Sequence, residues 1–448
     1  MSRYKPYPQY KDSGVKWLGE VPEVWDIVRN KQVFKFIKNS VGENSSDYLL
    51  LSLTLNGIIP RDIESGKGKF PAEFNTYQEV HKNDLIFCLF DIDETPRTIG
   101  LSEYFGMITG AYNVARCNKE IDAKYVYYYY LSVDEYKGLK PFYTGLRKVV
   151  RTETFLNIEF ALPSLKEQIA IANFLDNATC KIDTLIQKQQ NLIELLKEKR
   201  QALISHVVTK GLNPHVEMKD SGIAWLGEVP EHWEVTKLKF VGKSIIGLTY
   251  SPNDITDEHN GILVLRSSNV QNKKITFDDN VYVNSRIPRH LLTQKGDILI
   301  CSRNGSRALI GKSALVDENS KNLTFGAFMT IFRTTYYRYI FWVLNSSIFD
   351  FQSATFLTAT INQLTTTNLN NFDIPFTSFK EQQSIANFLD NATCKIDILI
   401  SKAQKAIELL KERRTALISA VVTGKIDVRE CAGDNSNCSE IPNSSNQR

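Results

Sequence analysis

The chain has 448 residues, 42% of them apolar, a net charge of +4 and a pI near 8.5. That length suggests about three domains, and the apolar share is enough for packed cores. No run approaches 18 apolar residues, the first residues lack the apolar core of a secretory signal, and seven scattered cysteines without C-x-x-C spacing argue against a disulfide framework. Together these point to a cytoplasmic protein with no membrane association. The weak positive charge is compatible with a nucleic-acid partner without requiring one.

Residues 11–25, KDSGVKWLGEVPEVW, recur at 219–233 as KDSGIAWLGEVPEHW. Trp17 and Trp225, with Pro22 and Pro230, read as an anchored turn that packs the edge of a globular unit. The first unit follows, with apolar runs at Tyr48–Leu53, Asp84–Phe90 and Asn113–Cys117 expected to be short strands. Its tyrosine-rich stretch Lys124–Leu131 could stack on bases. The apolar Tyr336–Leu344 at the matching place in the second unit makes a buried helix or strand the simpler reading for both.

A long helix then occurs twice, KEQIAIANFLDNATCKID… from 166 and KEQQSIANFLDNATCKID… from 380, at an offset of 214 residues. A heptad seam runs through Ile171, Leu175, Ala178, Ile182, Leu185, Gln189, Leu192, Leu196, Lys199 and Leu203, and through the same slots of the second copy. Gln189, Lys199 and Arg413 are polar seam positions that could set register. Ser164 with Glu167 and Ser378 with Glu381 fit capping boxes, and Gly211 and Gly424 suit left-handed C-caps. At 1.5 Å per residue such a helix makes a rod of about 60–65 Å, the length of a spacer. The second unit is expected to hold strands at Ile262–Arg266, Asp297–Cys301 and Met329–Arg333, and the residues after Val428 are too polar to fold alone. Between the repeats the two units share only a skeleton, HKNDLIFC against TQKGDILIC and ALPSLKEQ against PFTSFKEQ.

The sequence carries no catalytic constellation. GSRALIGKS at 305–313 mimics a phosphate loop, but it has one residue too many between its glycines and leads into a strand-like SALV. The six histidines lack metal-binding spacing, and Asp91, Asp93 and Glu94 read as a solvated turn. No amino-methyltransferase motif is present. What remains suits base edges: Ser302, Arg303, Asn304, Ser306 and Arg307 on a glycine-containing turn after a strand, with Lys312 beyond it. Arginine can hold guanine and asparagine adenine, each bidentately. The first unit offers Arg97, Asn113, Arg116, Arg147 and Lys148.

With these repeats, the chain resembles the DNA specificity subunit of type I restriction–modification enzymes. The resemblance runs from Tyr10 to Ile426 and rests on the WLGEVPE turns, on LPSLKEQIAIANFLD and FTSFKEQQSIANFLD, and on LLKEKRQALISHVVTKG and LLKERRTALISAVVTGK. It implies an α+β protein with two mixed α/β target-recognition domains with curved sheets, separated by a pair of long antiparallel coiled-coil helices in a pseudo-two-fold repeat. The expected limits are 1–162 and 213–376 for the recognition domains, 163–212 and 377–427 for the helices, and 428–448 for a disordered tail. The resemblance further implies double-stranded DNA as ligand, with two methyltransferase and two restriction–translocase subunits as partners. Those partners would bind S-adenosylmethionine, ATP and Mg²⁺; this chain would bind no cofactor or metal and carry no catalytic residue. A coiled-coil scaffold that reads no DNA and a self-sufficient restriction or modification enzyme are the alternatives. The scaffold leaves two divergent units in matching frames unexplained, and the enzyme lacks its motifs.

Overall fold

The computed structural model describes residues 5–15, 18–62, 74–356 and 363–430; Trp17 and most of the polar tail lie outside them. The long helices span Leu165–Lys210 and Phe379–Val422. Two compact units divide each helix at its middle: one takes residues up to Gln190 and from Lys405 onward, the other Asn191–Gln404. The expected limits had set the helices apart as segments of their own. In the structure each half-helix is built into the core of a unit.

In the first unit, a four-stranded antiparallel sheet has the order Phe34–Ile37, Asn113–Cys117, Leu85–Phe87, Ile99–Leu101. In the second, Lys243–Ile246, Met329–Arg333, Ile298–Cys301 and Ser313–Leu315 repeat that order and sense. A two-stranded ribbon closes each unit, Asp26–Arg29 on Glu159–Leu162 and Glu234–Lys237 on Asp373–Phe376. The strand Ile298–Cys301 is buried at every position, as an apolar run covered on both faces should be. The sequence expectation for Tyr48–Leu53 began too early: a 3₁₀ turn over Gly42–Asp47 delays the strand to Leu51–Thr54.

The shared skeleton has a physical basis. Asn83 (φ 69°) and Gly296 (φ 89°) turn the chain through the left-handed region just before Asp84 and Asp297. Each aspartate accepts a backbone N–H from three residues upstream, from His81 and Gln294, both at 2.8 Å. Each is also gripped bidentately by an arginine on the neighbouring strand: Arg116 on Asp84 at 2.8 Å twice, Arg333 on Asp297 at 2.7 Å twice. Both carboxylates are buried.

The tyrosine-rich stretch forms the helix Ala123–Glu135, with Tyr125, Tyr128, Tyr129 and Tyr130 buried, so it is core rather than a stacking platform. Its counterpart is the helix Tyr337–Val343. Tyr125 donates to the carbonyl of Ala161 and Tyr339 to that of Pro375, each at 2.9 Å. On the first long helix Asp176 accepts from Tyr128 at 2.8 Å and Lys124 at 2.6 Å. On the second, Asp390 accepts from the Trp342 indole at 3.0 Å and from Arg338. Every partner in this second set lies 214 residues after its equivalent in the first.

The helices pack on a different period from the heptad. Ile171, Ile182, Ile193 and Ile204 are all buried and step by eleven, whereas Leu185 and Leu192 of the heptad seam are 47% and 43% exposed. Ile385, Ile396, Ile407 and Ile418 repeat the pattern, all buried except the half-buried Ile407. Eleven residues in three turns is 3.67 per turn, close to the natural helix, so this stripe stays in line without left-handed supercoiling. The register pairs also sit one residue beyond Lys199 and Arg413, which are exposed. Within the second unit Arg200 bonds Asp397 at 2.9 Å, and within the first Arg414 bonds Asp183 at 3.0 Å. Helix halves therefore run antiparallel in each unit.

The tryptophan turns seal the helix ends. Trp25 and Trp233 are fully buried, while Trp225 stacks on Phe351 at 5.2 Å. Gly424 (φ 72°) lies in the left-handed region, and a Cβ there would collide with Pro22. Glu167, expected in a capping box, turns its carboxylate to the Trp25 indole at 3.0 Å and to the Tyr7 hydroxyl. Cys88, Cys117, Cys301 and Cys394 are free thiols.

Removing one partner from a buried pair strands the other charge. Arg333→Ala should therefore cost about 2–4 kcal/mol of stability in urea unfolding. Arg116→Ala should cost less, because Arg116 is 42% exposed against 25% for Arg333. Equal or negligible losses would contradict the buried-pair account.

Candidate nucleic-acid interface

Of the two inner strands in each four-stranded sheet, the third in order, hereafter the inner strand, leads to a cysteine, Cys88 following Leu85–Phe87 and Cys301 closing Ile298–Cys301. The candidate site of each unit is built just beyond. In the second unit Ser302 is buried and donates to the Phe328 carbonyl at 3.0 Å, so it braces the turn. That brace presents Arg303, whose guanidinium lies 5.1 Å from the Phe328 ring centroid. Asn304 donates to the Ser267 hydroxyl at 3.2 Å and accepts the Ser306 N–H at 3.0 Å. Ser306 and Arg307 are exposed at the start of a short 3₁₀ turn. Lys312 reaches back to the Ser267 carbonyl and Gln271 at 3.5 and 3.4 Å. The residues that mimic a phosphate loop enter the strand Ser313–Leu315, not a helix. No carboxylate among the described residues pairs with Arg303 or Arg307.

Arg303 and Asn304 open onto a cleft of about 590 Å³ that Tyr250, Arg266, Ser267 and Phe328 also line. Sequence reasoning passed over these four. Yet Arg266 follows the strand Ile262–Leu265 in the way that Arg303 follows its own, and the polar run R-S-S-N after an apolar run was the available signal. Arg266 is held by Asp279 at 2.9 Å.

In the first unit Phe90 stacks on Tyr112 at 6.0 Å in the place where Arg303 covers Phe328. The loop from Thr144 to Val149 lies over this pair, with Arg147 5.6 Å from the Phe90 ring and 3.4 Å from Asp91. Lys148 bonds Glu94 at 2.6 Å and Asp93 at 3.0 Å, and these carboxylates hold its ammonium well above the ordinary lysine range. The acidic turn is thus a clamp for a basic loop, and no group of three or more metal-ligating side chains occurs among the described residues. Arg97 lies 4.0 Å from the buried Asp134, Arg116 grips Asp84, and Asn113 opens the strand that pairs with Phe87. The structure thus gathers Arg147 and Lys148 at one loop and Ser302–Arg307 at another, and builds Arg97 and Arg116 into ion pairs within the fold.

Residues 22–195 and 230–409 match the model of the type I restriction modification DNA specificity domain. The chain belongs to this family. It is 27% identical over 437 residues to the type I restriction enzyme MjaVIII specificity subunit of Methanocaldococcus jannaschii, across 94% of this chain and 97% of that one. It is also 27% identical over 213 residues to the EcoKI specificity subunit of Escherichia coli K12, across 45% and 44% of the two. The family fold is seen in a chain from a structural study of complex assembly and conformational transition of the type I R-M system, at TM-score 0.70 and 16% identity, covering 91% of this chain and 99% of that chain. The HsdS subunit from Thermoanaerobacter tengcongensis superimposes at TM-score 0.52 and 16% identity, covering 91% and 98%. No helix among the described residues is long and apolar enough to cross a membrane.

If Lys148 acts through the loop and Arg147 through contact, the two separate in a salt titration of DNA binding. Arg147→Ala should lower the slope of log affinity against log salt by about 1. Lys148→Ala should instead change selectivity at one half-site. Identical slopes for both variants and the parent chain would remove Arg147 from the interface.

Proposed function

We propose that this chain is the DNA specificity subunit of a type I restriction–modification system and reads an asymmetric bipartite target, one half-site per unit. The observation that carries this reading is the duplicated scaffold with diverged ends. Sheet order, Asp–Arg corners and helix anchors repeat, whereas the residues past the inner strand change from Phe90-Asp91 to Arg303-Asn304. A frame that repeats while its exposed turns differ serves two different sequences. In the second unit Arg303 and Asn304 contact bases, Arg307 and Lys312 flank them, and Ser302 and Ser306 shape the turn. In the first unit Arg147 makes the DNA contact, Lys148 holds its loop through Glu94 and Asp93, and Asn113 lies near the aromatic pair.

The long helices set the gap between the half-sites, their register fixed by the Asp183–Arg414 and Arg200–Asp397 pairs. The chain is the non-catalytic recognition part of a complex with methyltransferase and restriction subunits. Those partners, two of each, supply the chemistry and bind S-adenosylmethionine, ATP and Mg²⁺. The assembly is cytoplasmic.

A genome-wide methylation map of cells co-expressing the chain and its methyltransferase subunit tests this. The expected result is a two-part motif with a fixed gap. Arg303→Ala or Asn304→Ala should relax one half only, since a bidentate base contact contributes about 1–3 kcal/mol of discrimination. Loss of methylation spread evenly over both halves would make these residues phosphate contacts and overturn their assignment. An unbroken motif would overturn the bipartite reading.

A further inference from the structure

We propose that Leu146 reads a thymine methyl group in the half-site of the first unit, an inference that rests on the DNA-reading function above. Leu146 is fully exposed, at 103% of its reference area. Exposed leucines are common, and this one stands out because its loop is tied down on every side. Thr144 and Val149 exchange backbone hydrogen bonds at 3.0 and 3.1 Å, and Gly145 (φ 75°) and Lys148 (φ 45°) make the tight turn between them. The Asp91 N–H donates to the Arg147 carbonyl at 2.8 Å, and the Val150 N–H to that of Leu89 at 2.9 Å. Lys148 is clamped by Asp93 and Glu94, and Arg147 by Asp91 and the Phe90 ring.

A loop so braced cannot fold its apolar tip back onto the protein; it displays it. Arg147 and Lys148 are already paired with Asp91, Asp93 and Glu94, so it is topology that assigns the surface receiving the tip. The Leu364 N–H donates to the Ser302 carbonyl at 2.7 Å, as Val150 does to Leu89, so the Leu146 loop joins the inner strand where the second unit carries Arg303 and Asn304. Among the groups on the major-groove floor, the one an aliphatic side chain recognises is the thymine C5 methyl.

The test uses the full chain assembled with its methyltransferase subunit, on duplexes carrying its methylated motif. The half-site of the first unit is the one that Arg303→Ala leaves unrelaxed. Each thymine there is replaced singly by deoxyuridine, which removes only the methyl group. The parent complex should lose about 3- to 10-fold in affinity at one thymine and little at the others. Leu146→Ala should bind the thymine duplex as weakly as the parent binds that deoxyuridine duplex, and show no further loss on substitution. Leu146→Met should keep most of the effect. Deoxyuridine loss that persists in Leu146→Ala would overturn the assignment. So would affinity unchanged by the substitution, weakening that is equal on unrelated DNA, or a half-site without thymine on either strand. Failure of the parent complex to select any motif would instead overturn the DNA-reading function, and that shows before any thymine is replaced.

Discussion

One aspartate on each long helix holds its α/β unit in place. Asp176 takes hydrogen bonds from Tyr128 and Lys124, one helical turn apart; Asp390 takes them from Trp342 and Arg338 at the equivalent positions. A carboxylate with two donors on one rigid helix fixes that helix in translation and rotation, which a purely apolar contact does less sharply. Tyr125 and Tyr339 then tie the same helices to the closing ribbons. The sheet, and the turns at the end of its inner strand, inherit their position from this joint.

Because the joint is identical in kind in both units, sequence change elsewhere is tolerated without moving the frame. Tyrosine can become tryptophan and lysine arginine at the anchor, since each substitute still reaches the aspartate. Beyond the inner strand nothing demands such equivalence. There the first unit has stacked aromatics beneath a clamped basic loop, and the second has an arginine over one aromatic ring beside a cleft. Arginines paired with a buried aspartate belong to the frame, and those of the second unit's turn, which no described carboxylate pairs, belong to the reading surface. That division separates Arg116 and Arg97 from Arg303 and Arg307.

Much of this was legible in the sequence. The two long helices, the strand Asn113–Cys117 and the burial of the tyrosine stretch follow from periodicity and apolar runs, which leave helix or strand open for that stretch. The seam phase did not, because heptad and eleven-residue patterns coincide at Ile171, Leu175 and Ile182 and separate only at Leu185. The heptad therefore puts the polar seam positions at Gln189, Lys199 and Arg413, whereas the register pairs use Arg200 and Arg414. Arg116 is an exposed-looking residue in sequence, and only the turn that buries Asp84 shows where its charge goes. Arg266 and Ser267 were missed because the cleft is assembled from segments far apart in the chain. The Leu146 loop is a tertiary feature too, since its braces come from residues 89–94.

The central claim is that one frame carries two interchangeable reading units. A chimaera in which residues 26–162 replace residues 234–376 tests it most directly, because both cuts fall at the ends of the same two-stranded ribbon. Co-expressed with the methyltransferase subunit and mapped for methylation, it should modify a motif with the bases of the first half-site in both halves and the original gap. Persistence of the original second half-site, or a changed gap with both halves intact, would contradict the account.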